Sequence, residues 1–372
     1  MANFLAFLKR KDIEFSAKRY GLDALSAMAQ GLFCTLLVGT ILNTLGQVGV
    51  GFLNQVVVTV RSGDQAIGYT VGGLASAMVG PGIAVAIGFA LRCPPLVLFS
   101  LIPVGFAANA MGGAGGPLAV YFVAIVACEC GKLVSKETKV DILVTPMVTI
   151  LVGIGAAALI AAPIGKAASA VGTAIMWATE LQPLLMGIVV SALVGIALTL
   201  PISSAAICAA LGLTGLAGGA AVAGCCAQMV GFAVMSFREN RWGGLVAQGV
   251  GTSMLQMPNI LKNLRIWIPP TLASMITGPL ATCVFKLKMN GAAVNSGMGT
   301  CGLCGQIGVW TGWLNPSEAA LKAGEVAMTP GVMDWVGLVL ICFILPAVLS
   351  LIFCEILRKI GWIKENDLKL AL

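Results

Sequence analysis

The fold turns on one stretch, residues 247–308. It reads AQGVGTSMLQMPNILKNLRIWIPP at 247–270, an apolar GPLATCVF at 278–285, and KLKMNGAAVNSGMGTCGLCGQIG at 286–308. Amides, hydroxyls, glycines and prolines crowd here in a chain that is 58% hydrophobic. Gln248, Thr252, Ser253, Gln256, Asn259 and Asn263 form one polar cluster; Asn290, Asn295, Ser296, Thr300 and Gln306 form another beyond one apolar segment. Non-helical backbone at membrane depth survives only where protein or a wet cavity satisfies its polar groups. The two clusters therefore read as broken or re-entrant elements lining a solute path.

Outward from this stretch, composition places the chain in a bilayer. Charged residues make up 10% of it, against about a quarter in a soluble domain. Apolar runs near the roughly 20 residues a helix needs to cross a membrane recur throughout, and the 47 glycines suit close helix packing in lipid. The net charge of +7 is spread between apolar spans, so nucleic acid is excluded as a partner. The dense basic clusters are Lys9, Arg10, Lys11, Lys18 and Arg19 at one end and Arg358, Lys359, Lys364 and Lys369 at the other. Basic flanks mark the cytoplasmic side, so both termini are expected there, in the cytoplasmic (inner) membrane. The absence of histidine excludes histidine acid–base catalysis, histidine metal ligation and a phosphohistidine relay within this polypeptide. Cys301 and Cys304 have metal or redox spacing, but without a βαβ setting or a histidine they read as packing residues, like most of the twelve cysteines. No metal and no cofactor are expected.

Residues 1–20 read as an amphipathic lead-in, with Phe4, Leu5, Phe7 and Leu8 opposite a basic face. A long apolar stretch, 22–60, is interrupted by Asn43, Gln47, Asn54 and Gln55; spans follow at about 67–91, 96–110 and 118–134, with a turn at the GGAGGP of 112–117. Balancing basic loops across the membrane leaves 201–236, 243–265 and 291–314 as re-entrant, with Lys286 and Lys288 as the exception to the positive-inside rule. The expected fold is an all-α polytopic membrane protein with about eight crossings plus re-entrant hairpins.

Intramembrane ionisable residues are functional candidates by default. Asp141 opens a span behind a lysine-rich loop and either caps that helix or serves with Thr145 and Pro146 as a gate or hinge. Glu129, three residues before Lys132, reads as a local ion pair. No carboxylate falls clearly at mid-membrane, so a buried proton relay has little to rest on. Amides are plentiful instead. Asn43, Gln47, Gln256, Asn259, Asn263 and Asn295, with Ser203, Ser204 and Thr300, pair donors with acceptors as a neutral polyhydroxylated solute requires. The same groups can cap broken helices, and an anionic solute could use half-helix N-termini, so the solute's charge stays open.

KVDILVTPMVTILVG at 139–153 resembles the K-x-D-I-x-x-T-P-x-x-T signature of the membrane-embedded IIC components of the bacterial phosphoenolpyruvate-dependent sugar phosphotransferase system (PTS EIIC). LPISSAAICAALGL (200–213), AQGVGTSMLQMPNILKN (247–263), IWIPPTLAS (266–274) and NSGMGTCGLCGQIG (295–308) resemble its stand-alone IIC-like branch, which includes perfringolysin-regulator-like membrane proteins. The resemblance implies a homodimer with a scaffold half at 21–180, a transport half at 181–357, a cytoplasmic tail at 358–372, and elevator-like movement of a sugar held between hairpins. Where sugar-specific relatives carry Gly-Ile-Thr-Glu, this chain reads Pro201-Ile202-Ser203-Ser204, without the carboxylate. Any phosphoryl group would come from IIA and IIB proteins in trans, so the chain is at most the membrane component of a phosphotransferase. The implied function is a permease for a small polar, sugar-like solute. A secondary carrier, or a membrane sensor read by a cytoplasmic partner, are the alternatives.

Overall fold

The computed structural model describes residues 2–62 and 65–370, with side chains for all of these except 2–5, 47–48, 62 and 65. Phe4, Leu5 and the Gln47 side chain thus lie outside the described residues. The chain is helical almost throughout, and among the described residues five helical stretches are long and apolar enough to cross a membrane, or six with a pair bent by 54° counted as one span. It forms two compact units, Met1–Ala167 and Ala168–Leu372.

In the first unit the helices are α1 (Ala2–Arg10), α2 (Ala24–Leu32), α3 (Val38–Val48), α4 (Val71–Ala77), α5 (Val79–Ala90), α6 (Pro95–Gly112), α7 (Gly116–Val134) and the start of α8 (Asp141–Thr179). Wide π-type turns join α2 and α3 into one apolar stretch that ends where Gly49 takes φ 149°. The antiparallel hairpin of β1 (Val58–Ser62) and β2 (Gln65–Tyr69) follows, pairing Val58 with Tyr69. Valine-rich residues 56–60 favour extended backbone over helix because their branched side chains lose freedom in a helix. The hairpin departs from the all-helical expectation without changing the class. The predicted turn at 112–117 is present: Gly113 at φ 50° ends α6, and α7 packs back against it. Small residues set the helix spacing, since a Cβ at Gly80 or at Gly105 would collide with the other's carbonyl.

The lead-in is docked by ions. Lys132 is 1% exposed and its Nζ reaches Glu129 at 2.9 Å, the predicted local pair, and donates to the Asp12 and Leu91 carbonyls. Arg19 bridges Asp12 and the Leu91 carbonyl, while Arg10 and Lys11 hold Glu137. Leu8 and Ile13 are buried beneath these pairs.

The second unit is built around α11 (Gly215–Met235), whose most apolar window is 94% buried. Packed on it are α9 (Pro183–Thr199), α14 (Ile268–Pro279) and α18 (Leu345–Lys359). Shorter pieces complete it: α10 (Ser204–Ala210), α12 (Phe237–Val246), α13 (Met257–Lys262), α15 (Cys304–Leu314), α16 (Glu318–Lys322) and α17 (Val332–Val339). A Cβ at Gly224 would run into the Ser191 backbone, and one at Gly278 into the Gly187 carbonyl, so α9 approaches both α11 and α14 at backbone distance. Val222, Cys226, Met289, Val309, Trp313 and Ile341 form the core on the other side. The stretch expected to be re-entrant, 201–236, is built of two unequal arms, the short α10 and the full-length α11.

Candidate functional site

The polar stretch 247–308 leaves helical backbone at Thr252, at Asn263 and through 285–292, and each break is tied down by hydrogen bonds rather than left open. Three layers can be followed through the second unit.

The innermost layer surrounds Gln228, the lone amide in an otherwise apolar α11 and fully buried. Its Oε1 accepts from Trp267 Nε1 at 2.9 Å and Thr199 Oγ1 at 3.2 Å, and its Nε2 donates to Thr271 Oγ1 at 3.1 Å. Thr199 Oγ1 also lies 2.8 Å from Ser253 Oγ. One amide thus joins the end of α9, the middle of α11, the break at 247–256 and the start of α14. In a low-dielectric interior such a closed network fixes geometry, because any missing partner leaves a costly bare polar group.

The second layer joins two loops. Ser204 Oγ donates to the Gly297 carbonyl at 2.7 Å, and Ser296 Oγ to the Leu213 carbonyl at 2.6 Å. Gly215 and Met289 exchange both backbone hydrogen bonds at 3.0 Å. The tip leading out of α10 is therefore laced to 289–297. Ser203 caps α10 through the Ala206 N–H. The second loop needs left-handed backbone at Gly299, Gly302 and Leu303, and a Cβ at Gly299 would strike Cys225. Thr300 is buried with its hydroxyl on Met229 Sδ. Asn295 is half-buried over Gly308, and its side chain makes no hydrogen bond among the described residues.

The third layer is a chain of amides. Asn259 donates to Gln256 at 2.8 Å, Gln256 to Gln248 at 2.9 Å, and Gln248 to Ser236 Oγ at 2.9 Å. Asn263 completes the row and caps the Leu264–Trp267 turn. Each of Gln256, Asn259 and Asn263 also donates to the C-terminal segment: to the Leu368 carbonyl, the Lys369 carbonyl and the Trp362 carbonyl respectively.

Of the residues the sequence singles out, Ser203, Ser204, Gln256, Asn259, Asn263, Asn295 and Thr300 all fall in the second unit, in the second and third layers. Asn43 and Gln47 belong to the first unit; Asn43 accepts a hydrogen bond from Thr70 at 2.7 Å. Asp141 opens α8, its Oδ1 accepting from the Lys136 N–H in the preceding loop and from Thr145 Oγ1 at 2.6 Å each, with Pro146 one turn on. Sequence reasoning passed over the Gln228 network, although a single amide inside a 21-residue apolar helix is a legible signal. It also passed over Glu325, whose carboxylate holds Lys288 at 2.8 Å and Asn290 at 3.3 Å beside the Gly215–Met289 pairing. That carboxylate comes from a loop that sequence spacing does not connect to the hairpin.

Comparison with known proteins adds one finding. A family model described as "Phosphotransferase system, EIIC" matches residues 22–370, nearly the whole chain. No curated protein and no solved structure matches it.

Proposed function

The chain belongs to the phosphotransferase system EIIC family, which makes it a membrane permease component of sugar transport, and on that premise we propose that it binds a small polar, sugar-like solute in the second unit. In this reading the solute lies against Asn295, Thr300, Ser203 and Ser204, with Gln256, Asn259 and Asn263 behind it. Asp141, Thr145 and Pro146 form a hinge at the start of α8. The protein works as a homodimer in the cytoplasmic membrane, termini inside, and moves the solute by displacing one unit as an elevator.

The observation that carries this reading is Asn295. It is half-buried at a laced pair of loops, with donor and acceptor both unspent among the described residues. A hydroxyl-bearing solute uses that pairing, whereas an apolar ligand would not. Phosphorylation, where it occurs, is supplied by a IIB protein in trans, since the chain has no histidine and Ser203 and Ser204 stand where a carboxylate would engage the reacting hydroxyl.

The test is uptake of tritiated hexoses, pentoses and hexitols by vesicles containing the protein, with and without phosphorylated IIB. Uptake that depends on IIB supports the coupled mechanism. Equal uptake without IIB leaves a phosphorylation-independent carrier. Binding without uptake removes transport and leaves the sensor.

A further inference from the structure

Past α18 the chain does not trail away. Residues 360–370 run back along the polar break, and side-chain amides grip their main chain. Gln256 Nε2 donates to the Leu368 carbonyl at 3.0 Å, Asn259 Nδ2 to the Lys369 carbonyl at 2.9 Å, and Asn263 Nδ2 to the Trp362 carbonyl at 2.9 Å and Asp367 Oδ2 at 2.8 Å. Asn240 clasps the segment from the other side, donating to the Leu368 carbonyl and accepting from the Leu370 N–H, both at 2.8 Å. Leu368 and Ile363 are buried, and the Arg265 guanidinium sits 5.0 Å from the Trp362 ring centre.

An amide nitrogen has two protons to give. Gln256 spends one on Gln248 and one on Leu368; Asn259 spends one on Gln256 and one on Lys369; Asn263 spends both on the C-terminal segment. While the segment is seated, these three amides have no donor left for a solute. The bonds to backbone carbonyls are neutral, and water replaces such bonds at small net cost. The seat is therefore of the kind that opens locally without the rest of the unit unfolding.

We propose that residues 360–370 are a releasable strap that occupies the amide row in place of solute, and that its departure frees Gln256, Asn259 and Asn263 for binding. The inference rests on the permease reading above. Because the row continues through Gln248 to Ser236 at the end of α11, release of the strap also loosens the break at 247–256.

The test uses the full-length protein in vesicles or detergent, with two latch variants outside the proposed solute contacts. Asn240→Ala with Asp367→Ala removes the clasp and a hydrogen-bond acceptor of Asn263. Asn240→Asp keeps the acceptor for Leu370 but sets a carboxylate against the Leu368 carbonyl. Strap release is read by trypsin cleavage after Lys364 and Lys369, the break by hydrogen exchange at 247–263, and transport by uptake of tritiated hexoses, pentoses and hexitols. Exchange within α11 reports whether the fold is kept. Both variants should be cleaved at least about tenfold faster, as the loss of one hydrogen bond with a new repulsion, or of four hydrogen bonds, gives, with faster exchange at 247–263 and at least doubled initial uptake. Faster cleavage with exchange and uptake unchanged overturns the proposal, as does cleavage that stays at the wild-type rate. If neither wild type nor variants take up any of these sugars or polyols, the permease reading fails, and exchange at 247–263 alone decides the strap.

Discussion

Asn259 donates its side-chain amide to the main-chain carbonyl of Lys369 at 2.9 Å, across 110 residues of sequence. The same nitrogen donates to Gln256, so one side chain joins the C-terminal segment to the row that ends at Ser236. Replacing Asn259 would therefore change two things together, and Asn295 and Gln228 offer cleaner tests.

Asn295→Ala should weaken binding of tritiated sugar or polyol by at least about fivefold, the loss of one or two hydrogen bonds to a solute. Its melting temperature should match wild type, because the Asn295 side chain has no hydrogen bond within the described protein to lose. Equilibrium binding and thermal unfolding in detergent measure the two effects. Unchanged affinity would move the solute site away from this loop.

Gln228→Leu should destabilise the protein by about 2–3 kcal/mol, since Thr199, Trp267 and Thr271 each lose a buried partner. Gln228→Glu should be worse, because an ionised carboxylate would be buried among neutral groups. Thermal unfolding followed by tryptophan fluorescence checks both, Trp267 being a direct partner. A leucine variant melting with wild type would show that the network carries no stability.

The lead-in should be released by acid. The hydrogen-bonded Arg19 guanidinium holds the Asp12 carboxyl below its ordinary value, and Lys11, followed by Arg10, does the same for Glu137. With folded values depressed, the unfolded chain binds more protons as pH falls. These contacts are at full strength above the ordinary carboxylate values, around pH 4 to 4.5, and are lost as pH drops through the lower folded values. Hydrogen exchange over residues 6–20 should be flat from pH 8 to about 5, after correction for intrinsic rates, and rise below about 4. A rise already near pH 6 would point to another group.

The class of fold was legible because hydropathy is a local property: a chain with 10% charge and repeated apolar runs has one solvent available to it. The Glu129–Lys132 pair and the turn at Gly113 were legible for the same reason, each being set by near neighbours. The polar anomaly at 247–308 was found by composition, but composition does not say where an amide's protons go. Gln256 and Asn263 look like solute ligands in sequence, yet Gln256 spends one donor and Asn263 both on residues about a hundred positions away. The hairpin at 58–69 was hidden in an apolar run whose valines fit a strand as readily as a membrane helix.

The clasp on Leu368 and Leu370 also bears on how the protein is handled in the laboratory. An affinity handle or fluorescent fusion joined to the C-terminal end begins beside a main chain that Asn240, Gln256 and Asn259 already hold. Purification through that end risks selecting or prying loose one conformation. Labels are better placed at exposed loop positions such as Val326 and Ala327, with a cleavable C-terminal handle as the control.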